Sequence, residues 1–278
     1  MTFHIITLFP EVFDAYFKES IIGKAIKKRL IEVKFYDLRD FSKDKKRKKA
    51  SPTERRQSFG RVDEKVYGGG PGMVLGIEPL VRAIEKATAR QTGSRGKRQG
   101  TARQTGSRDK RQVKIILLAP GGRQFDNKIA QDLTKYKDVV LIAGRYEGVD
   151  ERVKKIFSAK GARLPNGQGS PARGGQAASG WKIEEISVGP YVLTGGEIPA
   201  MVVVDAVSRQ IKGVLGKNES LEEKRYGVGV PVYTRPEIFK YKGKNYRVPK
   251  VLLSGDHKEI AAWRKEKINN KFQISNDK

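Results

Sequence analysis

Two nearly uninterrupted apolar stretches limit the folds open to this chain more than any other feature. They are VKIILLAP, which starts at Val113, and DVVLIAGR, which starts at Asp138. A strand that is apolar at successive positions is buried on both faces, as in a parallel sheet covered by helices. HIITLF from His4 and IEVKFYDL from Ile31 add two β-rich segments, and helical patterns separate the strands. The sequence therefore predicts an α/β fold with a mostly parallel sheet.

The helical patterns carry recognisable start signals. Pro10 is expected to open one continuous helix with a broad apolar face. Asn127 is expected to cap a short helix, and IPAMVVVDAVSRQI from Ile198 to form a longer one. Asp256 and Glu259 are spaced like a capping box and predict the start of a last helix.

The net charge of +26 indicates a polyanionic partner, but its position along the chain weakens that inference. Most of the excess lies in residues 43–61, 88–112 and 159–182, which we interpret as insertions. The second of these contains a direct repeat, TARQTGSRGKRQ from Thr88 and TARQTGSRDKRQ from Thr101. Charge runs of this kind are often only solvated, so the charge alone does not establish nucleic-acid binding.

Residue counts exclude several kinds of chemistry. The chain has no cysteine, which excludes disulfides, thiolate metal sites and a cysteine nucleophile. Its two histidines, His4 and His257, argue against a histidine-built metal site. The N-terminal segment is not patterned like a signal peptide, and there is no apolar run long enough for a membrane span. We expect a cytoplasmic protein without membrane contacts.

The amino-acid composition changes along the chain and predicts two domains joined by a linker. Residues 1–216 carry the α/β pattern, residues 217–226 form a polar linker, and residues 227–278 form a small, mainly helical second domain.

Within the first domain, glycine-rich loops follow the strands: APGGR, GRYEG and SVGPYVLTGGE. Ligands of parallel sheets bind outside the carboxyl ends of strands. Backbone groups of such loops suit the edge of an adenine, although the glycines could also be ordinary turn residues.

The standard phosphate-binding patterns are absent. The sequence has neither GxxxxGK[ST] nor a GxGxxG between a strand and a helix. Kinase and dinucleotide-binding functions therefore lack their phosphate cradle.

Longer motifs, taken in order, are more specific than any single loop. The motifs are ITLFPEVF at Ile6, DLRDFSKD at Asp37, YGGGPGM at Tyr67, GRYEGVDERV at Gly144, SVGPYVLTGGEIPAMVVVDAVSR at Ser187, GVLG at Gly213, YTRPE at Tyr233 and VLLSGDH at Val251. Together they resemble the tRNA (guanine-N1)-methyltransferases of the TrmD type, in the SPOUT class, over nearly all of the chain outside the insertions.

This resemblance implies a fold and an activity. The C-terminal part of the sheet would form a trefoil knot that binds S-adenosylmethionine, followed by a small tRNA-binding domain. The protein would be a homodimer with shared active sites. Its substrate would be the anticodon stem-loop of tRNA with a guanosine at position 37, and its product 1-methylguanosine. Mg²⁺ is a further candidate cofactor.

The resemblance also assigns a cofactor site. Pro190 stands where the family usually has aspartate, and proline removes one backbone N–H donor. The residues expected to contact the cofactor are Gly144, Val188, Gly189, Pro190, Tyr191, Val192, Leu193, Pro120, Glu147 and Gly196.

The catalytic assignment rests on three residues. Arg209 resembles the family's catalytic arginine and would stabilise charge on guanine O6. The family's general base is an aspartate in the linker, but here that segment reads ESLEEKRYG. Glu223 is the first choice to take the N1 proton, and Glu222 is the alternative. A solvated linker without this role stays open.

Two other functions remain compatible with the sequence. One is a SPOUT methyltransferase acting on another RNA site, such as ribosomal RNA or a ribose hydroxyl. The other is a catalytically silent RNA-binding relative, since the insertions, Pro190 and the missing aspartate depart from the family pattern.

Overall fold

The computed structural model describes residues 1–43, 60–89, 111–158, 182–216, 221 and 229–276. The chain divides into two compact units, Met1–Val214 and Leu215–Lys278. The helices and strands of the first unit are β1 (Thr2–Thr7), α1 (Asp14–Phe17), α2 (Ser20–Lys27), β2 (Glu32–Asp37), β3 (Asp63–Lys65), β4 (Met73–Leu75), α3 (Ile77–Ala89), β5 (Arg111–Gln124), α4 (Asn127–Leu133), β6 (Tyr136–Ala143), α5 (Arg152–Ser158), β7 (Ile183–Ser187) and α6 (Glu197–Arg209).

The first unit is built on a five-stranded sheet in the order β2-β1-β6-β5-β7. Every pairing between neighbouring strands is parallel. The α/β fold with a mostly parallel sheet is therefore confirmed. Because the strands run in one direction, their carboxyl ends meet at one edge, where the glycine-rich loops after β6 and β7 emerge. The segment APGGR, expected to be a loop, belongs to β5, whose register against β7 shifts between Leu118 and Arg123.

Apolar residues cover both faces of the sheet, as the unbroken apolar strands require. On one face Ile5 and Leu141 pack with Val204 of α6. On the other face Ile6 packs in a second cluster that includes Ile84 of α3. Successive residues of β1 thus serve opposite faces, which fixes the register of the strand.

The expectation of one continuous helix from Pro10 is wrong. A short 3₁₀ helix, Pro10–Phe13, leads into α1, and α2 begins separately at Ser20, whose φ of 56° lies in the left-handed region. The rings of Phe13 and Phe17, four residues apart, stack in the buried core with centroids 5.6 Å apart, and the break follows them. At the break α2 packs closely on the preceding backbone, because a Cβ atom at Gly23 would lie 2.4 Å from the carbonyl oxygen of Lys18.

One helix cap also differs from expectation. The carboxylate of Asp126, rather than the side chain of Asn127, caps α4 by accepting a hydrogen bond of 2.7 Å from the N–H of Ile129. Both neighbours are good cap residues, and the aspartate takes the extended backbone position that a cap requires.

The second unit contains β8 (Ile238–Tyr241), β9 (Lys244–Arg247), a 3₁₀ turn at Lys250–Leu252 and α7 (His257–Asn276). The two strands form an antiparallel hairpin that the sequence pattern did not reveal. Its turn residues Lys242 and Gly243 both have positive φ, as tight hairpin turns require. This unit is therefore not purely helical.

The start of α7 agrees with the sequence. Asp256 accepts hydrogen bonds from the N–H groups of Lys258 and Glu259, at 2.8 and 3.2 Å. Within the described residues, no helix combines the length and apolar character needed to cross a bilayer.

Candidate active site

A cavity of about 430 Å³ opens at the carboxyl edge of the sheet. This volume falls in the range of small-molecule sites. Residues of β5 and the loops that follow β6 and β7 form its walls. The expected cofactor residues that line it are Pro120, Gly144, Glu147, Val188, Gly189, Tyr191, Val192, Leu193 and Gly196.

Two of the loops touch through their backbones. The N–H of Gly196 donates a hydrogen bond of 2.8 Å to the carbonyl of Gly144. A Cβ atom at Gly196 would lie 2.6 Å from the Cα of Ala143, closer than real Cβ atoms approach. Glycine is thus required at position 196 because the loop following β6 runs directly against it.

The loop after β7 is held by its own hydrogen bonds. The hydroxyl of Ser187 donates to the carbonyl of Gly189 at 2.8 Å, and the hydroxyl of Tyr191 donates to the carbonyl of Val188 at 3.3 Å. The Tyr191 ring occupies the space that a side chain at position 189 would need. The loop therefore keeps a fixed shape that presents backbone atoms and the apolar side chain of Leu193 to the cavity.

The hairpin formed by β3 and β4 is hydrogen-bonded to the loop after β6. The N–H of Glu147 donates to Met73 O at 3.0 Å, and Leu75 N–H donates to Gly148 O at 3.0 Å. A Cβ atom at Gly72, whose φ is +105°, would lie 2.7 Å from the Glu147 side chain. The glycine-rich block at Tyr67 thus belongs beside the cavity, which its sequence alone did not establish.

One wall of the cavity carries charged groups that sequence reasoning missed. Lys154 lies 2.9 Å from a carboxylate oxygen of Glu185 and 2.6 Å from one of Glu151. The hydrogen bond that Lys154 donates to Glu151, and then the one that it donates to Glu185, raise the pKa of Lys154. Glu151 and Lys154 are only three residues apart, whereas Glu185 lies on β7 and reaches them only in the folded chain.

A buried carboxylate next to the cavity was also missed. Glu197, at the start of α6, accepts hydrogen bonds from Thr7 Oγ1 at 2.9 Å and from Arg145 Nε at 3.1 Å. The only sequence signal was a charged residue at the first position of an otherwise apolar helix.

The other expected site residues lie elsewhere. Pro190 is exposed and is not among the described residues that line the cavity, and its cofactor contact stays a prediction. The reason is local, because the tight turn held by Ser187 and Tyr191 places the two flanking residues at the cavity. Arg209 is half-buried at the end of α6 and also does not line it.

Glu222 and Glu223 lie outside the described residues. In the part of the chain that the structure describes, no cluster of three or more histidine, aspartate or glutamate side chains could hold a metal ion.

A parallel sheet whose carboxyl-edge loops enclose a cavity of this size defines an α/β domain with a cofactor-type site. The family model for tRNA (Guanine-1)-methyltransferase TrmD matches residues 1–276, and the chain belongs to this family of methyltransferases.

Similar curated proteins, all described as tRNA (guanine-N(1)-)-methyltransferase, come from several bacteria. The protein from Dictyoglomus turgidum is 40% identical over 96% of this chain and 84% of its own length. That from Geotalea uraniireducens is 39% identical over 95% of this chain and 84% of its own. The Persephonella marina protein is 36% identical over 99% of this chain and 85% of its own.

The contact between Gly196 and Gly144 gives a test of the cavity. Gly196→Ala should weaken S-adenosylmethionine binding by about tenfold or more, because the added methyl group forces two walls apart. Isothermal titration measures this. Gly121→Ala is the matched control, since a Cβ atom there meets nothing within 4 Å. Equal affinity in both variants would show that the cavity is not the cofactor site.

Proposed function

We propose that this protein transfers a methyl group from S-adenosylmethionine to N1 of the guanosine at position 37 of tRNA, giving 1-methylguanosine. The observation that carries the proposal is the family match over residues 1–276, combined with a cavity formed by the motifs that carry the resemblance. The names of the relatives state guanine-N1 methylation of tRNA, and position 37 is our extension to this chain.

The cavity suits S-adenosylmethionine in size and chemistry. Val188, Leu193 and Pro120 provide apolar surface, and the loop backbones provide donors and acceptors for an adenine edge. The carboxylates of Glu151 and Glu185 can accept hydrogen bonds from hydroxyl or ammonium groups. When bound, the cofactor supplies an electrophilic methyl group.

Two groups of the chain would act on the guanine. A carboxylate must accept the N1 proton as N1 forms its bond to the methyl carbon, and we assign this role to Glu223, with Glu222 as the alternative. Arg209 would stabilise negative charge that develops on O6. Glutamate is one methylene longer than the family's usual aspartate, so the linker backbone would have to lie farther from the guanine.

We also infer that the sheet is knotted, as in SPOUT proteins. Support comes from how closely the relevant segments pass each other. A Cβ atom at Gly122 would lie 2.6 Å from the backbone of Glu185 and Ile186. A Cβ atom at Gly196 would lie equally close to the backbone of Ala143 at the end of β6. A crystal structure that traces residues 111–209 without gaps would test the knot.

A homodimer is part of the proposal. Val12, Tyr16, Ile198 and Val202 are exposed on the 3₁₀ helix, α1 and α6, which pack together. Tyr16 donates a hydrogen bond to Asp205, and this bond raises the pKa of Tyr16 to about 12. Exposed apolar surface of this kind is typical of subunit interfaces.

Remaining expectations follow from the same proposal. The second unit would bind the anticodon stem-loop, and the protein would act in the cytoplasm, where tRNA is modified. Mg²⁺ dependence stays a prediction.

The substrate assignment can be tested directly. Labelled S-adenosylmethionine is incubated with tRNA transcripts that differ only in guanosine or adenosine at position 37. We expect label only in the guanosine transcript, recovered as 1-methylguanosine. Equal labelling of both would indicate another RNA target, and cofactor binding without labelling of either would indicate a silent RNA-binding relative.

The general base has its own test. Glu223→Gln should lower kcat by about 100-fold or more, because an amide cannot take the N1 proton. Glu222→Gln is the matched control and should retain most activity. Single-turnover methylation and cofactor titration separate chemistry from binding. Full activity of Glu223→Gln would overturn the assignment, and loss only in Glu222→Gln would transfer the role.

The dimer surface predicts a change of mass. The wild-type protein should sediment at twice its chain mass of 31.1 kDa. Val202→Asp should shift it toward the monomer, because a charge is introduced into an apolar interface. Val232→Asp, in the second unit, changes a more exposed valine as the control. A monomeric wild-type protein would contradict the proposal.

A further inference from the structure

Arg145 is held at the edge of the cavity by a buried carboxylate. The side chain of Glu197 is only 5% exposed, and its oxygens lie 3.1 and 3.3 Å from Arg145 Nε. The same carboxylate accepts a hydrogen bond from Thr7 at 2.9 Å. Glu197 therefore joins the end of β1 to the loop after β6 and fixes the angle at which Arg145 leaves that loop.

An aromatic ring completes the support of Arg145. Its guanidinium carbon lies 4.4 Å from the centroid of the Phe9 ring, and that of Arg39 lies 5.0 Å from the same centroid. Two cations thus share one ring. Arg39 also lies 3.9 Å from Asp37 and donates to the carbonyl of Leu8. Both guanidinium groups would attract an anion bound beside this ring.

The contacts of Arg145 leave part of its guanidinium available. Its bonds to Glu197 use Nε, and the described residues offer no hydrogen-bond acceptor to its terminal nitrogens. These nitrogens carry N–H groups in the fork geometry that matches phosphate and carboxylate oxygens. Arg145 lines the cavity and its side chain remains 25% exposed, so a bound molecule could reach it.

We propose that Arg145 binds an oxyanion of a substrate and that Glu197 is its positioning residue. The inference rests on the proposed function, which supplies two sources of such an oxyanion: a phosphate of the RNA next to the target nucleotide, and the carboxylate of the cofactor. The exposure of Arg145 and the second guanidinium of Arg39 favour the phosphate.

The first experiment compares Arg145→Gln with Lys135→Gln. Lys135 precedes β6 at the opposite edge of the sheet and pairs with Asp132, so its variant removes one positive charge away from the cavity. Affinity for a tRNA transcript with guanosine at position 37 is measured across salt concentrations. Losing one phosphate contact should lower the slope of log K against log salt by about 0.7 to 0.9 in Arg145→Gln only.

Cofactor titration identifies the source of the oxyanion. If it is the cofactor carboxylate, Arg145→Gln should bind S-adenosylmethionine about tenfold more weakly while its affinity for 5′-methylthioadenosine, which has no carboxylate, stays unchanged. If it is an RNA phosphate, both affinities should stay at the wild-type value. Weaker binding of 5′-methylthioadenosine would contradict the proposal, because it would show a deformed pocket.

The role of Glu197 is tested through its dependence on Arg145. Glu197→Gln should lower kcat/KM for tRNA, and adding it to Arg145→Gln should cause no further loss. Arg145→Lys, which keeps the charge, should restore the salt slope. Additive losses would overturn the positioning role of Glu197.

Unchanged salt slope and unchanged cofactor affinity in Arg145→Gln would overturn the oxyanion site. Wild-type methylation of the same transcript, run in parallel, shows separately whether the proposed function holds.

Discussion

The hydrogen bond between the N–H of Gly196 and the carbonyl of Gly144 determines how the cavity is built. It forms only because no side chain separates the start of α6 from the end of β6. The loop after β6 thereby lies between α6 on one side and the β3–β4 hairpin on the other, and its residues reach the cavity from a fixed backbone. The loop after β7, braced by Ser187, closes the remaining side.

The strands were predictable because burial on both faces leaves a simple signature. Val139 to Ala143 are all buried, and their unbroken apolar run indicates a strand covered on both faces of the sheet. Helix breaks were less predictable. The segment from Pro10 has helical spacing throughout, yet the left-handed backbone at Ser20 divides it. The spacing of apolar residues does not encode the backbone angle of a single residue, so the break could not be predicted.

Motif order predicted the loops that line the cavity, whereas it did not predict the charged groups around it. Glu185 lies on a separate segment from Glu151 and Lys154 and meets them only in the folded chain. Pro190 differs from the other predicted cofactor residues in lying away from the cavity. It lies within a matching motif, but a motif assigns a loop to a site without showing which of its backbone atoms face the ligand.

Glu197 is the residue whose burial is hardest to explain by stability alone. Moving a carboxylate out of water costs several kcal/mol, and a paired arginine offsets that cost only in part. An apolar residue at the first position of α6 would satisfy the core more simply, since the rest of the helix face is valine and alanine. The carboxylate instead accepts hydrogen bonds from both Thr7 and Arg145, and so ties a cation at the cavity to the end of β1. The buried carboxylate of Glu197 orients the guanidinium of Arg145. This arrangement is expected where an anionic substrate must be held in one position.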